Sequence, residues 1–306
     1  MLLFLAGCGE APPTAPPQYA FYHWETRLDP HPGRVAEYGA DRLYIKVFDV
    51  SWTDGRAEPS ALLEVTDSLK MAAVPVVFIT NEVFTHSGPD LAARIAGLIE
   101  QRFPFPFGEV QIDCDWTAGT REAYFAFLRR LGELLPDKQV SCTVRLHQYR
   151  DRDAQGIPPV DRAVLMAYNT GDLGSWETEN SIVDTVVIGR YTAGQPPYPL
   201  PLDLAVAVYD WAAVYRQGAL AYLINEPDLT ELADSSRFAA LAPLRYRVDR
   251  STYFAGLYLY RNDLIRREVA DRRGALRLAA SLWPQIANRG SERVIFYRIG
   301  SRQWRD

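Results

Sequence analysis

Eight short apolar segments that alternate with helical patterns constrain the fold of this chain more than any other feature of its sequence. Strand-like runs separated by helices are typical of βαβ units and a parallel sheet. The predicted strands are Ala20–Thr26, Arg42–Phe48, Val74–Thr80, Glu109–Asp115, Val140–Leu146, Ala163–Tyr168, Leu204–Tyr209 and Arg293–Ile299. The clearest predicted helices are Ser60–Met71, Pro89–Arg102, Thr120–Leu135 and Ala275–Asn288.

Eight strands in a chain of 306 residues predict an α/β fold, a closed (β/α)8 or TIM barrel over residues 19–306. Such barrels typically take about 250 residues. We interpret residues 217–271 as a small insertion between the seventh and eighth strands. Two alternatives remain open. Tyr253–Tyr260 can be the eighth strand, or the sheet can be open and doubly wound, although the GxGxxG fingerprint of that fold is absent after the first strand.

The first 18 residues predict export. Residues 1–7 are apolar, and Leu5-Ala6-Gly7-Cys8 resembles the lipobox of a bacterial lipoprotein signal, although the apolar run is short and no basic residues precede it. The resemblance implies that residues 1–7 are a signal remnant and that Cys8 carries lipid. Residues 8–18 are Pro-rich and fit a tether. We therefore expect a membrane-anchored lipoprotein of the bacterial cell envelope, in the outer membrane of a Gram-negative cell.

Charge and composition argue against several other functions. The net charge is −5 and no basic stripe is visible, so nucleic acid is not an expected partner. The four histidines lack metal-ligand spacing, and no Walker loop or GxSxG elbow is present, so no metal or cofactor is predicted. Cys114 and Cys142 are predicted to be buried free thiols that face the helices.

Polar and aromatic residues follow most predicted strands at their C-terminal ends, where the active sites of (β/α)8 barrels lie. Asp113 and Asp115 are the most informative, because residues two apart on a strand point the same way. Rings that stack on sugars and acids that bind hydroxyl groups suit a carbohydrate site. The candidate substrate-binding residues are Trp24, Glu25, Trp116, Arg145, Asn169, Tyr209 and Trp211.

Glycoside hydrolysis generally uses two carboxyl groups roughly 5–10 Å apart. Asp115 is the first candidate for the acid or for a substrate-orienting group, and its repulsion with Asp113 can raise the pKa of one of them. Glu82 and Asp210 are candidate partners from other strands, together with Glu25. The alternative for Asp113 is a structural carboxylate bonded to neighbouring strands, for example to Arg145.

Two motifs resemble those of the family-18 glycoside hydrolases, the chitinase-like barrels. In that family the fourth strand ends in Asp-x-x-Asp-x-Asp-x-Glu, and here Asp113 and Asp115 match the last two aspartates. Met166-Ala167-Tyr168-Asn169 matches the sixth-strand motif. The resemblance implies a substrate-positioning role for Asp115 and assistance from Tyr168. It also implies a general acid at position 117, where this chain has Thr117.

The whole pattern is also similar to an uncharacterised bacterial lipoprotein family, domain of unknown function 3142, which implies a barrel and no particular chemistry. Asn225-Glu226-Pro227 is similar to a motif of another glycosidase clan, but only about 80 residues follow it, so a turn is predicted. The expected function is a lipid-anchored glycosidase-like barrel that acts on a glycan or a cell-envelope polysaccharide. The alternative is a catalytically inactive lipoprotein that binds carbohydrate or assists envelope assembly.

Overall fold

A closed barrel of eight parallel strands forms the body of the protein, as predicted. The computed structural model describes residues 16–304 apart from 67 and 87, so Cys8 and most of the predicted tether lie outside the described residues. The barrel strands are β1 (Gln18–His23), β2 (Arg42–Thr53), β4 (Ala72–Ile79), β5 (Glu109–Asp113), β6 (Gln139–Arg145), β7 (Arg162–Met166), β8 (Leu202–Ala207) and β16 (Arg293–Tyr297). Because β1 pairs with both β2 and β16, the ring closes and the open-sheet alternative is wrong.

Strand alternation separates two apolar layers. On β1, Ala20 and Tyr22 face the barrel interior, whereas Phe21 belongs to the layer between strands and helices. The helices are α1 (Pro32–Glu37), α2 (Val83–His86), α3 (Leu91–Arg102), α4 (Arg121–Leu134), α5 (Leu146–Arg150), α6 (Arg152–Gln155), α7 (Thr185–Thr192) and α8 (Arg272–Ile286). The long ones bury one stripe each, as Tyr124, Leu128 and Leu131 do on α4. Cys114 and Cys142 are buried and free.

The predicted helix Ser60–Met71 is wrong. Strand β2 continues past the barrel rim, and β3 (Arg56–Ser60) returns antiparallel to it. Asp54 and Gly55 connect them, both with positive φ, 50° and 77°. A two-residue Asp-Gly connection with this geometry is a strong hairpin signal, because its twist matches that of the flanking strands. The hairpin takes the place of the helix that usually follows the second strand of a (β/α)8 barrel.

An antiparallel sheet is inserted between β8 and α8. Its strands are β9 (Tyr209–Arg216), β10 (Ala219–Asn225), β11 (Phe238–Ala242), β12 (Arg245–Val248) and β15 (Leu264–Ala270), in the order β10-β9-β15-β12-β11, and a hairpin of β13 (Thr252–Phe254) and β14 (Leu257–Leu259) lies beside it. The insertion therefore begins at Tyr209, earlier than the predicted residue 217. The alternative that Tyr253–Tyr260 is a barrel strand is wrong.

Hydrogen bonds to a buried ion pair join the insertion to the segment after β7. Arg266 and Glu268 are each 1% exposed and pair with each other. Glu268 also accepts hydrogen bonds from the backbone N–H and the hydroxyl of Ser181, both at 2.5 Å, in the segment after β7. The insertion and the β7–α7 connection thus support each other at one end of the barrel.

Among the helices of the described residues, none has the length and hydropathy of a membrane span.

Candidate functional site

A cavity of about 520 Å³ opens at the C-terminal ends of the barrel strands. The inserted sheet and the end of β16 complete its wall. Most of the predicted site residues line it, namely Trp24, Asp113, Asp115, Arg145, Tyr168, Asn169, Tyr209, Asp210 and Trp211. The barrel therefore brings together residues that lie up to 187 positions apart in the sequence, the separation of Trp24 from Trp211.

Asp113 is the last residue of β5 and Asp115 lies two residues beyond it; both line the cavity, but they occupy opposite environments. Asp113 is 7% exposed, and the Thr143 hydroxyl donates a 2.6 Å hydrogen bond to its Oδ1. Burial raises the pKa of Asp113 to about 6; the hydrogen bond from Thr143 opposes this, and the nearby charges of Asp115 and Asp49 add to it. The side chain of Asp115 is 52% exposed and lies 3.3 Å from Nε of Arg145. Asp113 is therefore bonded to Thr143, and Arg145 pairs with Asp115 instead of with Asp113 as expected.

Aromatic rings cover much of the cavity wall. Tyr168 stacks on Tyr297 with ring centroids 5.4 Å apart and planes at 17°. Trp24 meets Tyr297 edge-on at 5.3 Å, and Tyr209 meets Trp211 in the same way at 5.3 Å. Burial raises the pKa of Tyr168 well above its usual value, so its hydroxyl stays protonated. The wall combines ring faces with hydroxyl and carboxyl groups.

Two predicted partner acids are not available for acid–base chemistry. Glu82 is exposed at the start of α2 and does not line the cavity. Asp210 is fully buried, and Arg302 binds it with two hydrogen bonds, of 2.9 Å and 2.5 Å, while the Gln303 amide adds another. Because both oxygens of Asp210 are occupied, its geometry is that of a structural ion pair between the insertion and the C-terminal segment.

Trp116 and Glu25 also lie outside the cavity lining. Trp116 is 1% exposed and stacks on Tyr124 of α4, with centroids 5.2 Å apart. The alternation that turns Asp113 and Asp115 inward turns Trp116 toward the helices, so its prediction as a substrate-binding residue is wrong. Glu25 instead pairs with Arg298 at 2.7 Å.

Asp49 and Arg298 also line the cavity, although neither was predicted as a site residue. Asp49 pairs with the buried Lys46 at 2.9 Å. An irregularity in the β2–β4 register between Lys46 and Phe48 breaks simple alternation, so period-two reading cannot place Asp49. The position of Asp49 directly after the predicted strand Arg42–Phe48 was nevertheless a signal of a site residue in the sequence.

Glu226 is another cavity residue, which had been interpreted only as part of a turn. It follows β10 with a positive φ of 44°, as a turn residue can, and the predicted turn is present. Its carboxylate accepts hydrogen bonds from Arg298, at 2.9 Å, and from the Ser301 hydroxyl. Arg298 therefore bridges Glu25 and Glu226.

Across residues 16–304, with 67 and 87 left aside, no group of three or more His, Cys, Asp or Glu side chains could hold a metal ion.

Comparison with known proteins supports the barrel. No protein-family model and no curated protein sequence matches this chain. Among solved structures, it is similar to the spore cortex-lytic enzyme SleL of Bacillus cereus, with a TM-score of 0.51 and 17% identity over 93% of this chain and 71% of that one. It is also similar to a chitinase of Chromobacterium violaceum, with a TM-score of 0.52 and 12% identity over 92% of this chain and 94% of that one. At these identities the likeness establishes a shared (β/α)8 fold.

Proposed function

We propose that this protein is a glycosidase-like barrel that binds a glycan in the cavity and acts on it through Asp113 and Asp115. The observation that carries the proposal is that these two carboxyl groups, at and just beyond the end of β5, occupy opposite environments in one cavity with aromatic walls. Titratable pairs whose surroundings separate their pKa values are the usual basis for dividing acid and base roles. The folds of a chitinase and a cortex-lytic enzyme agree with this assignment.

The two carboxyl groups divide the chemistry as follows. Asp113, with a pKa of about 6, is protonated in about a tenth of the molecules at pH 7, and that form can donate the proton that the Thr117 hydroxyl cannot supply. Asp115 is exposed to the cavity and faces the substrate, where it orients a sugar and stabilises positive charge at the reacting carbon.

The direct test is to incubate the purified protein with a panel of polysaccharides and to measure released reducing ends, in parallel with bound polysaccharide. Release that depends on Asp115 supports the proposal. Absence of both release and binding across the panel contradicts it. Binding without release identifies the second candidate, an inactive glycan-binding barrel. That candidate is favoured by Thr117, which stands where the family-18 resemblance implies an acid.

Glycan affinity is expected to depend on Trp24 and to be independent of Trp116. Trp24 lines the cavity and presents a ring to the ligand, whereas Trp116 is buried under α4. Trp24→Ala should weaken binding about tenfold, since ring stacking and burial contribute about 1–2 kcal/mol. Calorimetric titration checks this, with Trp116→Phe as the matched control. Equal affinities for wild type and Trp24→Ala would remove Trp24 from the site.

We also propose that the chain is anchored to a bacterial envelope membrane by lipid on Cys8, because residues 5–8 match a lipobox and a Pro-rich segment follows. Expressed from a gene that supplies a complete export signal, the protein should incorporate a labelled fatty acid, and Cys8→Ser should abolish the label. Cys114→Ser, which changes a buried thiol, is the control and should keep it. Label that survives Cys8→Ser would contradict the assignment.

A further inference from the structure

The cations in and next to the cavity wall are already paired with carboxylates, including Lys46 with Asp49 and Arg302 with Asp210 beside the lining. Five carboxyl groups line the wall, those of Asp49, Asp113, Asp115, Asp210 and Glu226. Of the described residues, the only cations in the lining are Arg145 and Arg298, and each is already paired, Arg145 with Asp115 and Arg298 with Glu226 and Glu25. An anionic sugar would therefore meet carboxylates without a free cation to receive it.

Capacity for a cation remains at the end of β5. Asp113 accepts one hydrogen bond, on Oδ1 from Thr143, and no described residue donates to its Oδ2. Asp115 faces Arg145 at 3.3 Å, accepts no hydrogen bond from the described residues, and is 52% exposed. An ammonium group has three donors, so it can bind two carboxylates that line one cavity two residues apart in the chain.

A separate observation points to a ligand in the same cavity. The indole of Trp211 lines the cavity and is 8% exposed, and its Nε1 is buried without a hydrogen-bond partner among the described residues. An unsatisfied buried donor destabilises the protein. An acceptor on a bound ligand would remove that destabilisation.

We infer that the ligand of this cavity is an amino sugar with a free ammonium group, which Asp113 and Asp115 bind and which the Trp211 N–H orients through a sugar oxygen. The inference rests on the proposed glycan function and specifies its substrate class. It excludes uronic acids as ligands. It also predicts that N-acetylated sugars, which lack the positive charge, bind less tightly than sugars with a free amine.

The test is calorimetric titration at pH 7 with three probes of equal length: oligosaccharides of glucosamine, of N-acetylglucosamine and of galacturonate. The glucosamine probe should bind about tenfold more tightly than the acetylated one, as expected for one additional partly exposed charge pair. The galacturonate probe should not bind. Asp115→Asn should remove the preference for the amine and also free Arg145, so that galacturonate gains affinity. Asp137→Asn, an exposed acid in the loop before β6, should change nothing.

Two matched tryptophan variants test the donor. Trp211→Phe keeps a ring and removes the N–H, and should weaken glucosamine binding about fivefold. Trp283→Phe removes an equally unpartnered N–H on α8, away from the cavity, and should have no effect. Equal losses for both variants would overturn the role of Trp211.

The remaining outcomes separate this inference from the proposed function. Acetylated or galacturonate probes that bind as tightly as glucosamine would overturn the amino-sugar assignment and leave glycan binding intact. Failure of all three probes, together with failure of the polysaccharide panel, would overturn the proposed function itself.

Discussion

Replacing Asp115 with asparagine is expected to lower the rate of product release by about 10²- to 10³-fold, the usual contribution of a group that stabilises the charge developing in a transition state. The change keeps the size of the side chain and removes its charge. Asp115 is half-exposed and makes one ion pair, with Arg145, so the fold should tolerate the change. Initial rates over a range of substrate concentrations provide the measurement.

The kinetic pattern distinguishes chemistry from binding. A fall in kcat means that Asp115 stabilises the transition state more than the bound substrate. A rise in KM alone means that it stabilises the bound substrate and the transition state equally. Asp137→Asn is the control for a lost surface charge and should match the wild type. A rate for Asp115→Asn within threefold of the wild type would exclude Asp115 from the chemistry.

Replacing Asp113 with asparagine is expected to stabilise the protein at pH 8 and not at pH 4. The pKa of Asp113 is raised from its ordinary value of 3.8 to about 6, mainly by burial. The folded state therefore binds the proton more tightly than the unfolded state, and stability falls as the pH rises from below 3.8 to above 6. A shift of this size corresponds to about 3 kcal/mol. Asparagine carries no charge and avoids that loss.

Urea unfolding of both proteins from pH 4 to pH 8 measures the difference. The groups that face Asp113 are Asp115 just beyond its own strand, Asp49 of β2, Arg145 of β6 and the phenols of Tyr22, Tyr168 and Tyr297. Asp137→Asn should show no pH-dependent gain, because its side chain is exposed. If the stability difference between Asp113→Asn and wild type does not change with pH, burial does not raise the pKa of Asp113. A stabilising replacement that removes activity is the signature of a residue kept for function.

The sequence predicts the barrel well because the relevant signals are local. All eight barrel strands lie within a few residues of their predicted positions, since buried parallel strands are continuous apolar runs bounded by polar residues. The stripes of α3, α4 and α8 are equally local. Ser60–Met71 was predicted as a helix, although Asp54-Gly55 just before it signals a hairpin.

The site was predictable only in part. Strand alternation correctly directs Asp113 and Asp115 into one space, and the same rule, applied to Trp116, would have excluded it. Asp210 and Asp115 are the same residue type near a strand end, yet Arg302, 92 positions away, neutralises one and leaves the other exposed. No local pattern distinguishes them, because ion-pair partners come from distant parts of the chain.

The order of apolar runs and the side on which each residue projects were thus determined by the sequence itself, since both follow from backbone geometry within a few residues. The closed ring, the register irregularity that turns Asp49 inward, the inserted sheet that contributes Trp211, and the distribution of cations among the acids were decided only by the tertiary structure. Each depends on the relative positions of segments far apart in the chain. Burial and ion pairing set the charge of a carboxyl group, and they exist only after those segments meet.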